Sequence, residues 1–314
     1  MRILIVGAGA TGGYFGGRLL EAGRDVTFLV RPGRAAQLAK MGLLIQSGCG
    51  NIDLSAPSTL LASEVRKPFD VVLLSCKSYD LEDAIDAFAP AVGPETAVVS
   101  LLNGMRHLDV LDKRLGRDHV LGGHCFISAR LDNDGRIIHM SKFHELTFGH
   151  RFEEQRPQAK AVSALFGDAG FDAIASDQIM LEMWEKWTFL ATFAGITCLM
   201  RSAVGDIVAA GGAELTESLL EECRAIAVAA GWSPRPKFME RSRRVLTESG
   251  SSLTASMLGD LERGFRTEAD QILGDLLRRR SDFAGTDGSL LRIAYTALKA
   301  REARVAREQT AMSA

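Results

Sequence analysis

The sequence has almost no net charge, no paired cysteines and no apolar run long enough to cross a bilayer. Lysine and arginine number 37 against 39 aspartate and glutamate, a formal charge of −2. Electrostatics alone therefore gives no reason to expect nucleic-acid or membrane-surface binding. Every apolar stretch is broken by charge before it reaches the roughly 20 residues of a membrane span. The five cysteines, Cys49, Cys76, Cys125, Cys198 and Cys223, stand singly with no C-x-x-C. That spacing fits reduced thiols and argues against a disulfide framework or a zinc site. All six histidines fall between His107 and His150, but no H-x-x-x-H pair with a carboxylate accompanies them, and no metal is expected. There is no internal repeat and no low-complexity segment. The first strand begins at the N-terminus, leaving no room for a signal peptide, so the expected compartment is the cytoplasm.

What is present is a chain of 314 residues, 46% hydrophobic and 24% charged, the composition of a soluble globular protein with length enough for two domains. Its most informative part is the opening segment. Residues 1–6 are a short apolar run, the mark of a strand buried on both faces. Gly7, Gly9 and Gly12 then make G-x-G-x-x-G. The first glycine permits a tight turn, the second lets backbone approach a pyrophosphate, and the third lets a helix pack close to the strand. A second apolar run, residues 26–30, arrives at the right distance. The turn Gly7-Ala8-Gly9-Ala10-Thr11-Gly12 is thus expected to bind a dinucleotide. NAD-binding versions carry an acidic residue near the end of the second strand, for the ribose 2′-hydroxyl. This chain lacks one and has Arg31 there, and a guanidinium suits a 2′-phosphate. NADPH/NADP+ is the expected cofactor.

The remainder of the first half alternates strand and helix signals. Residues 69–75 and 96–101 read as buried strands with a helical stretch, 80–88, between them, the rhythm of a parallel sheet. Residues 120–131 and 136–139 flank Asp132-Asn133-Asp134-Gly135, which reads as a turn between antiparallel strands, and 145–149 adds another. Residues 156–166 look helical and 170–175 suit a last short strand. From residue 177 the pattern changes. Residues 177–200 are apolar nearly all round, as in a central buried helix, and 214–230, 236–247, 267–280 and 290–305 carry helical periodicity. The tail after residue 305 is expected to fray. The fold class is therefore an α/β Rossmann-type N-terminal domain with a mostly parallel sheet, residues 1–175, followed by an all-α C-terminal domain, residues 176–314. Such a pair leaves a cleft for a small substrate. The apolar helices of the second half suit either core or the surface of a homodimer.

Four polar positions stand out. Lys77 and Asn103 each follow a buried strand, at the carboxyl edge where ligands of such sheets sit, although either residue could simply cap a strand end. Lys186 lies in the apolar helix, where a lysine can also snorkel to water. Glu268 opens a helical run with Ile272 and Leu276 on its face, a position the helix dipole favours in any case.

Together with the opening ILIVGAGATGGYFGGRLLEAGRDVTFLVR, several short motifs carry a resemblance. They are Cys76-Lys77-Ser78, Leu102-Asn103-Gly104-Met105, Trp184-Glu185-Lys186-Trp187, Ser256-Met257-Leu258-Gly259-Asp260 and Arg266-Thr267-Glu268-Ala269-Asp270. Along nearly its whole length the chain resembles the ketopantoate reductase (2-dehydropantoate 2-reductase) family. The resemblance implies NADPH-dependent reduction of a 2-oxo acid to a 2-hydroxy acid, with ketopantoate giving pantoate as the default reaction of pantothenate biosynthesis. It makes Lys186 the general acid; an ammonium there stabilises the developing alkoxide, and desolvation eases release of its proton. It places Glu268 where it orients Lys186 and the substrate hydroxyl, Ser256 on the substrate, Asn103 on both nicotinamide ribose and substrate, and Lys77 on the cofactor. Ala129 matches a backbone contact to the cofactor.

The chain also departs from that pattern. Well-known members carry asparagines four and eight residues after the catalytic lysine, where this chain has Leu190 and Ala194. A substrate pocket lined by Leu190 and Ala194 is more apolar, and a lost amide matched to a substrate hydroxyl shifts selectivity strongly. Gly285-Thr286-Asp287-Gly288 stands where many relatives show a proline-containing turn. Two other enzymatic readings follow: a reductase of a more apolar 2-oxo acid, or a β-hydroxyacid dehydrogenase-like enzyme. A non-catalytic NADP(H) sensor is a reading of a different class, and it would need neither Lys186 nor Glu268.

Overall fold

The computed structural model describes residues 1–280 and 288–313; Gly285, Thr286 and Asp287 of the turn noted above lie outside the described residues. The chain divides into two compact units, Met1–Leu102 with His107–Met180, and Asn103–Arg106 with Leu181–Ala314.

The first unit is built on a ten-stranded sheet in the order β4-β3-β9-β8-β7-β6-β1-β2-β5, with β10 added on β9. The apolar runs form its centre. β1 (Arg2–Val6), β6 (Val71–Leu74) and β7 (Ala97–Ser100) are buried along almost every residue, as strands covered on both faces must be. β1 pairs in parallel with β2 (Asp25–Leu29) on one side and β6 on the other. β2 continues to β5 (Thr59–Leu60), and β6 continues to β7 and β8 (Val120–Leu131), all in parallel. The order thus reverses between β1 and β6, a switch point of the kind that opens a crevice at the carboxyl ends of the strands. Helix α1 (Ala10–Glu21) crosses from β1 to β2, and α3 (Leu81–Phe88) from β6 to β7. The mostly parallel Rossmann-type sheet expected of the N-terminal region is present.

The edge beyond β8 holds two differences. The segments at 136–139 and 145–149 are one strand, β9 (Ile137–Gly149), antiparallel to β8 with an irregularity between Ile127 and Ala129. The exposed stretch at Met140 and Phe143 hides this continuity in the sequence. The Ser141 hydroxyl oxygen accepts from the Ser128 backbone N–H at 3.0 Å and so occupies a donor that the irregular ladder leaves over. β9 also takes β3 (Leu43–Gln46) and β10 (Asp172–Ala175) as parallel neighbours, while β3 pairs antiparallel with β4 (Ile52–Leu54). The remaining helices are α2 (Pro32–Met41), α4 (Arg106–Leu115) and α5 (Arg156–Phe166).

The second unit is helical among its described residues. α6 (Ile179–Met200) is the long apolar helix. Its buried hydroxyls need no outside partner, because Thr188, Thr192 and Thr197 each donate to the carbonyl four residues earlier. α7 (Val204–Ala209), α8 (Ala213–Ala229), α9 (Pro236–Leu246) and α10 (Ser256–Glu262) follow. The expected helix at 267–280 is not one regular helix. It opens with a π-helical turn, Asp270–Gly274, which runs into α11 (Asp275–Arg278). The last helix, α12 (Leu290–Ser313), continues through the tail expected to fray, helped by an Arg304–Glu308 pair one turn apart at 2.7 Å. No helix among the described residues is long and apolar enough to cross a membrane.

Two of the histidines, His139 and His144, pack against α1 in the first unit. His139 and His144 stack 5.7 Å apart beside Tyr14 of α1. The Tyr14 hydroxyl lies 2.6 Å from His144 Nδ1, and the Ser47 hydroxyl 2.8 Å from His139 Nδ1. Burial is the main cause of a lowered His144 pKa; Asp172 opposes it, and His139 and Arg18 add to it. The unfolded chain therefore binds a proton at His144 that the folded chain refuses, and stability is lost as pH falls below about 6.5. Urea midpoints measured from about pH 7.5 down to 5.5 should show this decline, and His144→Gln should flatten it.

Candidate active site

In the first unit the site is built where β1 ends. Gly7 has φ +95°, a conformation that favours glycine, and its N–H donates to Leu29 O of β2 at 2.9 Å. The Ser75 hydroxyl, at the end of β6, reaches Val6 O at 3.0 Å and Gly7 O at 3.2 Å, so the turn is held from both neighbouring strands. Gly12 has no room for anything else: a Cβ would lie 2.0 Å from Ser75 Oγ and 2.3 Å from Gly7 O. Gly9 is the opposite case, since a Cβ there would meet nothing within 4 Å. Gly12 is glycine because the protein fills the space, whereas the space at Gly9 is open. No side chain caps the start of α1, and no acidic residue lies in its first turn. The first N–H groups of a helix have no acceptor within it, so open backbone and a positive dipole end together fit a pyrophosphate.

Arg31 ends the second strand region as the residue before α2, 72% exposed on its side chain, with Nη2 2.9 Å from Asp80 Oδ1. Asp80, through its hydrogen bond and its charge, raises the Arg31 pKa. Lys77, partly buried, leads the short helical turn Ser78–Asp80 after β6. The Asp80 carboxylate holds Arg31 while its backbone N–H donates to Lys77 O at 2.9 Å, a placement that residue type and spacing do not signal. Ala129 lies in β8 opposite His139, at the irregularity of that hairpin.

In the second unit the π-helical turn organises the remaining candidates. The Gln271 amide donates to Asn103 O at 2.9 Å. The adjoining Gly104 has φ +79°, and a Cβ on it would come within 2.8 Å of Gln271 O. Asn103 follows a strand of the first unit but is grouped with the second, and this hydrogen bond is one physical reason. The Trp187 indole N–H donates to Ile272 O at 2.8 Å, tying the turn to the residue after Lys186. Glu268, partly buried, precedes the turn and accepts from Ile272 N at its own carbonyl. Its neighbours Thr267 and Asp270 are fastened to α12 through Glu302, Tyr295 and Lys299. One turn therefore links the segments that carry Asn103, Lys186 and Glu268.

Lys186 is 6% exposed in α6, with Leu190 partly buried and Ala194 buried further along the helix. The residue before it, Glu185, is 1% exposed and carries an ion pair that sequence reasoning passed over. Arg235 donates to it from its backbone N–H at 2.7 Å and through Nε and Nη2, fixing α6 to the start of α9. Ser256 opens α10 on the surface, and no hydrogen bond joins it to this group among the described residues. The Cys198 and Cys223 thiols are each pushed up to about 12 by burial, which leaves them no part as nucleophiles.

The sheet order and its glycine turn are those of a dinucleotide-binding fold. Two family models match the chain: Ketopantoate reductase PanE/ApbA over residues 3–152, and Ketopantoate reductase PanE/ApbA C terminal over residues 178–302. The chain belongs to this family, whose enzymes act on a CH–OH group with a nicotinamide cofactor. It is 38% identical over 280 residues to the uncharacterized oxidoreductase YkpB of Bacillus subtilis, covering 89% of this chain and 92% of that one. It is 29% identical to a 2-dehydropantoate 2-reductase of Archaeoglobus fulgidus, over 90% and 92% of the two chains. The crystal structure of 2-dehydropantoate 2-reductase from Geobacter metallireducens GS-15 superposes with a TM-score of 0.86 at 26% identity, over 96% of this chain and all of that one.

Replacing Arg235 by alanine would strand the Glu185 carboxylate in the interior. Loss of a partner from a fully buried pair costs about 3–5 kcal/mol. Arg235 is about half exposed, so the expected loss in urea unfolding is nearer about 2 kcal/mol.

Proposed function

We propose that this enzyme reduces a 2-oxo acid to the 2-hydroxy acid with NADPH, and that its substrate is 2-dehydropantoate, giving pantoate. The observation that carries the reading is Lys186, an amine 6% exposed in an apolar helix. The residues on either side of it are fastened by Arg235 and by the Ile272 carbonyl. In this reading residues 1–175 hold NADPH and residues 176–314 supply the catalytic groups.

The chemistry that a bound reduced nicotinamide would supply is a hydride for the carbonyl carbon. Lys186 gives a proton to the carbonyl oxygen as negative charge develops on it, so that C=O becomes CH–OH. Glu268 orients Lys186 and the hydroxyl being formed, while Asn103 and Ser256 bind substrate. Gly7 to Gly12 would receive the pyrophosphate, Arg31 the 2′-phosphate, and Lys77 and the Ala129 backbone further parts of the cofactor.

Leu190 and Ala194 favour a second reading, in which the substrate is a more apolar 2-oxo acid. Both lie on the Lys186 helix and neither can hydrogen-bond a substrate hydroxyl through its side chain. NADPH consumption with 2-dehydropantoate and with a panel of branched and aryl 2-oxo acids separates the two. The first reading expects the highest kcat/KM for 2-dehydropantoate; a higher value for a branched or aryl acid selects the second, and no turnover with any of them rejects both. Lys186→Ala should lower kcat by about a hundredfold or more, and retention of most of kcat would remove Lys186 as the acid.

A further inference from the structure

Arg34 lies in the first turn of α2, three residues after Arg31, and its guanidinium is turned back under the glycine loop. Nε donates to Ala8 O at 2.9 Å. Nη1 donates to Gly135 O, in the turn between β8 and β9, at 3.0 Å, and to the Gln37 side chain. Gln37 in turn holds Asp134 O at 2.9 Å, so the same brace reaches the hairpin twice. All three acceptors of Arg34 are neutral, and no carboxylate lies within ion-pair distance of it among the described residues. Nη2 is sealed from solvent and has no hydrogen-bond partner among them. Burial pulls the Arg34 pKa below its ordinary value, with no neighbouring charge restoring it.

Other inward-facing arginines of this unit differ. Arg18 pairs with Glu21 and Arg151 with Asp112. Arg24, which also uses only carbonyls, satisfies all three of its nitrogens, on Leu165, Ala22 and Gly167. Arg18 and Arg151 each leave Nε without a partner but have a carboxylate; Arg34 is a partly buried cation with a sealed, unpartnered Nη2 and no carboxylate. Its placement gives that charge a direction. The carbonyls of the loop are each occupied: Gly7 O by the Ser75 hydroxyl, Ala8 O by Arg34, Gly9 O by Gly13 N–H. The loop thus offers an incoming group its N–H donors while its acceptors are engaged, with a positive charge lodged behind it.

We propose that Arg34 is a positioning residue for the dinucleotide pyrophosphate, fixing the Ala8 carbonyl and supplying uncompensated positive charge beneath the loop. This rests on the reading of that loop as the dinucleotide site. It gives Arg34 a different task from Arg31, because the pyrophosphate is common to NADH and NADPH and the 2′-phosphate is not.

The test is equilibrium binding of NADPH and NADH, followed by the fluorescence of the reduced nicotinamide, at several salt concentrations. Arg34→Gln should raise Kd for both dinucleotides by about tenfold and make Kd less dependent on salt. Arg34→Lys, which keeps the charge without the fork, should recover the salt dependence and part of the affinity. Arg31→Ala should weaken NADPH alone. Melting temperatures confirm that each variant is folded, and Arg34→Lys keeps the test open if Arg34→Gln is not. The proposal is overturned if a folded Arg34→Gln binds both dinucleotides as the wild type does. Weaker binding with an unchanged salt dependence also overturns it, because a purely structural brace would behave that way. A loss confined to NADPH would transfer Arg34 to the 2′-phosphate and overturn the pyrophosphate assignment. Wild-type protein that binds neither dinucleotide would instead remove the reading beneath the proposal.

Discussion

The first unit depends on how closely α1 can approach the sheet. Gly12 meets Ser75 and Gly7, and the next three glycines of the helix extend the same constraint. A Cβ at Gly13 would lie 2.5 Å from Ile137, at Gly16 2.5 Å from Phe28 and at Gly17 2.6 Å from Ile45. Those neighbours belong to β9, β2 and β3, so one glycine face lets α1 rest on widely separated strands at once. Without that approach the start of the helix would not sit on the end of β1, and the open backbone at Gly9 would have no fixed geometry. Glycine in a helix interior costs about 0.5–1 kcal/mol relative to alanine. Four of them in two turns are acceptable because dense contact with Phe28, Ile45 and Ile137 replaces the side chains they lack.

The second unit solves a different problem, the placing of polar groups inside apolar surroundings. α6 disposes of its threonines internally and passes Glu185 to Arg235. Trp187 fills the interior and spends its single donor on Ile272. These arrangements leave α6 firmly held on both sides of Lys186. Glu185–Arg235, with its carboxylate buried and its guanidinium half exposed, is weak evidence of stabilisation; its backbone N–H contact and forked geometry point to orientation as its use. The two units thus place candidate groups by contrasting means, bare backbone in one and fastened side chains in the other.

Much of this was legible in the sequence, in proportion to the length and regularity of each element. The buried strands, α5 and the long apolar helix follow from runs and periodicity, and the glycine turn from its spacing. Residues 32–68 give no clear strand signal, because β3, β4 and β5 are short and only partly buried, whereas the equally short β6 and β7 are apolar and buried throughout. α2 carried signals that were open to reading, a proline at its start and Gly42 with φ +73° at its end. The partners of the candidate residues were the least legible part. Gln271 meets Asn103 across 168 positions and Trp187 meets Ile272 across 85, and no local pattern encodes such pairs. An arginine in a loop-to-helix turn reads as solvated in a sequence, and only the fold shows Arg34 partly buried against the Ala8 carbonyl.

The π-helical turn at Asp270–Gly274 bears on how this family member can vary. Such a turn is an α-helix that holds one residue too many. Each residue of an α-helix turns the chain by about 100°, so a one-residue deletion there would swing the segment on one side away from its partner. Either the Gln271 amide would leave Asn103, or the Ile272 carbonyl would leave Trp187, with every chemically active side chain still present. What is held at this point is the number of residues as well as the kinds of Gln271 and Asp270.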